Sequence, residues 1–135
     1  MTATKPAAKT TKESKVAKAP TAKAAPSQEP SLRFFHSKAV GKRIDSVLGA
    51  LEKAPEDSKH PEAVADLVAE LVEAGMDYYF MVPLKQAQVG FVKEQSARMG
   101  LTGAITLINS VSRKFITRMD SAQLLVVAAH IRSLT

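Results

Sequence analysis

From Ser31 to the end of the chain, apolar side chains recur every three or four residues, the spacing of one face of an α-helix. The pattern predicts a first helix over residues 32 to about 54, with Ser31 as its N-cap after Pro30. Its inward stripe is His36, Val40, Ile44, Val47, Leu48 and Leu51. Residues 55–61, bounded by prolines, read as a loop. A second helix starts near Glu62, with Val64, Leu67, Val68, Leu71, Val72, Gly75, Met76 and Tyr79 on one side. Pro83 lacks an N–H, so the pattern is expected to break there. A third helix then covers residues 84–99, followed by a turn at Gly100-Leu101-Thr102-Gly103. The fourth, residues 104 to about 118, has the cleanest stripe: Ala104, Ile105, Ile108, Val111, Ser112, Phe115, Ile116 and Met119. Asp120 then caps a fifth helix, with Gln123 placed for a capping-box arrangement. Its run Leu124-Leu125-Val126-Val127-Ala128-Ala129 is apolar on nearly all sides and reads as a central helix, with an oligomer contact as the alternative. Strand signals are poor, so the expected class is all-α: a compact bundle of about five helices.

Before Ser31 the pattern stops. Residues 1–30 hold six Lys, four Pro and eight Ala, and only Met1 and Val16 offer bulky apolar groups. So little apolar area does not offset the ordering entropy of roughly 1–2 kcal/mol per residue, and a disordered, partly extended polycation is expected. The expected organisation is therefore a basic tail over 1–30 and a helical domain over 31–135. The chain's net charge is +6, of which the tail holds +4, so the domain itself is nearly balanced. Cysteine is absent, which excludes disulfides and thiolate chemistry. Lysines interrupt the first twenty residues, unlike a secretory leader. The longest uncharged stretch, residues 99–112, has fourteen residues, too few to span a bilayer. A cytoplasmic location is expected.

The pieces Lys5-Pro6-Ala7-Ala8-Lys9 and Lys18-Ala19-Pro20-Thr21-Ala22-Lys23 resemble the Ala/Lys/Pro-rich tails of linker histones, and of some bacterial nucleoid-associated and storage-granule proteins. The resemblance covers only the tail. It implies non-specific attraction to nucleic acid through Lys5, Lys9, Lys12, Lys15, Lys18 and Lys23, with Arg113, Lys114 and Arg118 of the domain adding contacts. The alternative is a solubilising linker.

Candidate chemistry in the domain is sparse. His36, His60 and His130 stand alone, with no second ligand at a helical offset, so neither a metal nor a cofactor is expected. No phosphate-binding loop and no nucleophile-with-base arrangement is evident, and no catalytic residue is assigned. Asp66, Glu70, Glu73 and Asp77 share one face of the second helix, where Asp66–Glu70 and Glu73–Asp77 are like-charge pairs at i, i+4. That face is expected to meet solvent or a basic surface, either Arg113, Lys114 and Arg118 or the tail. Tyr78 and Tyr79, in the aromatic cluster beside Pro83, read as core or as part of a partner surface. Basic and bulky apolar residues alternate over residues 32–44, as in helices lying on a lipid or granule interface. The expected function is a non-enzymatic helical interaction module with a cationic tether, self-associating or binding another protein. Nucleic-acid association is the alternative, and a membrane or granule surface comes third.

Overall fold

A computed structural model describes residues 30–135, and the six tail lysines lie outside them. Helix α1 spans Lys38–Lys53 and starts where the Ser37 hydroxyl accepts the Val40 N–H at 3.2 Å. The expected start at residue 32 is therefore too early, and residues 31–37 are not helical. Helix α2, His60–Met76, carries Pro61 in its first turn, where a missing N–H costs nothing. A π-helical turn, Asp77–Met81, leads directly into α3, Val82–Gln86. Helix α4, Phe91–Ile116, follows a short connection, and α5, Ser121–Ser133, completes the chain. Among the described residues there is no strand.

Two predicted breaks are corrected. The chain does not stop at Pro83. A proline ring inside an α-helix collides with the carbonyl four residues back, here that of Tyr79. The π turn widens the helix just ahead of it, with the Val82 N–H reaching the Asp77 carbonyl five residues earlier, and the rod continues. The break comes at Gln88 and Gly90, both at positive φ (53° and 101°). The second correction concerns Gly100-Leu101-Thr102-Gly103, which is not a turn but the middle of the 26-residue α4. The predicted third and fourth helices thus trade material. The described residues form four rods: α1, α2 continued through the π turn and α3, α4, and α5.

The core is built at one end of these rods. Ile44, Val47, Leu48 and Leu51 of α1 meet Val64, Ala65 and Leu67 of α2, Ile116 of α4, and Leu124, Ala128 and Ile131 of α5. His60 is buried and its Nε2–H donates to the Ala54 carbonyl at 2.6 Å, closing the loop between α1 and α2. Asp120 caps α5 by accepting the Gln123 N–H at 2.8 Å, while the Gln123 side chain accepts the Asp120 N–H at 3.0 Å. The apolar run of α5 is not central. Leu124 and Ala128 face inward, and Val126 points out to solvent. Among the described residues, no helix is long and apolar enough to cross a membrane.

Candidate interaction surface

Helix α4 is about 39 Å long at 1.5 Å per residue, yet Ile116 is its one buried residue among those described. Its inner side lies along α2, with Leu101, Ile105, Asn109 and Ser112 half-buried. Its outer side is apolar. Met99, Leu107, Val111 and Phe115 expose 75, 66, 47 and 67 % of their surface, and Ile108 lies partly open beside them. Gly100, Gly103 and Ala104 continue this side toward the N-terminus, and a Cβ placed on either glycine meets nothing within 4 Å. No charged side chain interrupts residues 99–112. Further along, Phe91 and Val92 are also exposed.

This outer side is what pattern reading missed. The stripe expected to be core splits in two: Ile105, Ser112, Ile116 and Met119 turn toward the protein, whereas Ala104, Ile108, Val111 and Phe115 turn away. The apolar sector of α4 is wider than one neighbouring helix covers. The breadth of that sector, and the absence of charge across it, were the available signal.

The acidic face of α2 is largely met by arginines from other helices. Arg43 of α1 donates from Nε to Glu70 at 2.9 Å. Arg113 of α4 bridges Glu62 and Asp66. The hydrogen bond to Asp66, followed by the attraction of Asp66 and Glu62, holds the Arg113 guanidinium above its ordinary pKa even against desolvation. Cations from α1 and α4 therefore relieve the Asp66–Glu70 repulsion, whereas the Glu73–Asp77 pair makes no ion pair among the described residues. Arg132 of α5 meets the carboxylates of α1, reaching Asp45 at 2.9 Å and Glu52 at 3.0 Å. Of the three domain cations assigned to nucleic acid, Arg113 is engaged in these bonds, while Lys114 and Arg118 are exposed.

Glu73 and Asp77 open onto a cleft of about 560 Å³ between α2 with its π turn, α1 and α4. Arg98, Thr102 and Asn109 line the α4 side. The Thr106 hydroxyl in this cleft donates to the Thr102 carbonyl at 2.8 Å, a bond within the helix that leaves no activated nucleophile. The Asn109 Oδ1 is buried without a hydrogen-bond partner among the described residues. Among those residues no group of three His, Asp or Glu side chains is placed to hold a metal ion.

The segment ahead of α1 folds over the end of α2. The Phe34 ring lies 6.3 Å from Tyr78 and from Tyr79, and Phe35 lies 6.1 Å from Tyr78. In this strap the Phe34 ring packs over Gly75, where an added Cβ would stand 3.4 Å from it, an ordinary van der Waals contact. Tyr78 is half-buried in the ring cluster and Tyr79 is exposed. The continuous amphipathic helix expected over residues 32–44 does not form, because residues 33–37 are drawn into this strap.

No family model, curated protein or solved structure matches the chain. Its geometry carries the functional argument.

Proposed function

We propose that the protein is a non-enzymatic helical interaction module whose working surface is the outer side of α4. One observation carries this reading: a 26-residue helix buries one residue and presents Leu107, Ile108 and Val111 to solvent within an uncharged run, with Phe115 exposed just beyond Arg113 and Lys114. The largest contiguous apolar patch on a monomeric domain is often functional, and patches beyond a few hundred Å² mark sites of association. The core of α1, the start of α2, the end of α4 and α5 acts as the clamp that holds the helix. The tail tethers the module or raises its local concentration near a polyanion.

The test replaces Ile108 and Phe115 by Glu in the full-length protein. Immobilised wild type should retain specific proteins, its own untagged copies included, and the variant should lose them while keeping its helical circular dichroism. Equal retention by both forms would remove the α4 face from the reading.

Nucleic-acid association has one specific support, the six tail lysines together with exposed Lys114 and Arg118. If all six tail lysines meet phosphates, log K falls with log salt at a slope of about −5. Removal of residues 1–30 should then abolish retention on DNA. The granule or membrane reading loses the continuous helix over residues 32–44 on which it stood.

A further inference from the structure

We infer that the outer side of α4 is an isologous interface between two copies of this chain, with the two α4 helices antiparallel. The inference rests on the reading of α4 as the working surface and names its occupant. Gly100, Ala104, Leu107 and Val111 follow one another at spacings of four, three and four, a straight seam along the helix, and Phe115 extends it by one more turn. The seam grades from no side chain at one end to a large ring at the other. A two-fold axis between Leu107 and Ile108 sets Gly100 against the partner's Phe115 and Ala104 against the partner's Val111. Each large group then meets a small one. A parallel pairing would stack Phe115 on Phe115 at one end and leave a void between glycines at the other.

Charge points the same way. The seam residues from Gly100 to Val111 are uncharged, so a second copy laid along them meets no like charge there. The antiparallel register also keeps the two Lys114 side chains about 20 Å apart along the axis, whereas a parallel one would bring them together. With about 200 Å² for a fully exposed large side chain, Leu107, Ile108, Val111 and Phe115 offer on the order of 440 Å² per copy. Two copies would bury about 880 Å² from these side chains, and the exposed Gly100, Gly103 and Ala104 add to it toward the roughly 1,200 Å² of a small specific interface. Gly100 and Gly103 fit this picture as well. Nothing in their own chain needs the missing Cβ, while a second helix approaching at this point would.

The chain has no native cysteine, so single thiols report the register directly. Full-length Leu107→Cys, beside the two-fold axis, should form a covalent dimer with a short thiol–thiol crosslinker. Gly100→Cys and Phe115→Cys should each fail alone, their copies lying about 22 Å apart, and should crosslink when mixed. Sedimentation of the wild type should show twice the monomer mass, retained at high salt. Val111→Glu should weaken association about tenfold or more, because it places an unpaired charge in a desolvated seam. Efficient self-crosslinking of Gly100→Cys and Phe115→Cys alone would overturn the antiparallel arrangement. A wild type that stays monomeric at its highest soluble concentration would overturn the inference altogether. If that monomer still captured another protein in an α4-dependent way, the interaction reading would survive without this occupant. If it captured none, both would fail.

Discussion

Replacing Gly100 and Gly103 by Ala gives opposite signs for the two conformations that the sequence allows at this point. In the structure both glycines sit in the middle of α4, and a Cβ on either meets nothing within 4 Å. Alanine then removes the backbone-entropy penalty of glycine without any clash. The expected gain is about 1 kcal/mol per site, or about 2 kcal/mol for the double variant. In a domain of this size, each 1 kcal/mol moves Tm by roughly 4–8 °C. Were residues 100–103 a turn, at least one glycine would hold a positive φ, and alanine there would destabilise by a similar amount or more. The measurement is urea and thermal unfolding followed at 222 nm, at protein concentrations low enough to keep the chain monomeric. Low concentration matters, because a methyl group at Gly100 would also disturb the proposed seam. A lower Tm for both single variants in dilute solution would refute a continuous α4, and with it the exposed face.

Four further outcomes test α4 and the frame that holds it. Leu48→Ala, at a fully buried position between α1 and its neighbours, should cost about 3–5 kcal/mol in chemical denaturation. Phe115→Ala, on the outer side, should stay within about 0.5 kcal/mol in the monomer. Asp120→Ala removes the side-chain acceptor of the α5 capping box, leaving the Asp120 N–H to Gln123 bond, and should cost about 1 kcal/mol by the same assay. Arg113→Ala should lower Tm by much less than Leu48→Ala, and high salt should shrink the difference, since its bonds to Glu62 and Asp66 lie at the surface.

Local signals that depend on a few neighbouring residues were readable. The Asp120 capping box is one, because cap and third helical residue adjoin in sequence. The α1 core residues Ile44, Val47, Leu48 and Leu51 are another, since their stripe is narrow enough for its neighbours to bury all of it. The start of α1 was less so. Phe34 fits a helical pattern, but it is instead half-buried against Gly75 and the tyrosines of the π turn, while Phe35 stays exposed. On the acidic face of α2, Arg113 was among the partners expected from the sequence and does meet Glu62 and Asp66, whereas Arg43, the partner of Glu70, was not expected. Glu70 and Arg43 are separated by 27 residues, and Asp66 and Arg113 by 47.

By itself, the sequence determined that this chain is helical after its basic tail, because apolar spacing and strand-poor composition act locally and leave few other ways to bury those side chains. Only the tertiary structure decided that Pro83 and the pair Gly100 and Gly103 do not interrupt helices. Local propensities there amount to a few kcal/mol, and packing of the flanking turns against neighbouring helices outweighs them. It also decided which half of the wide apolar sector on α4 is covered. That depends on how many neighbours reach the helix, and a periodicity along one chain records how much surface is apolar, not how much of it finds a partner.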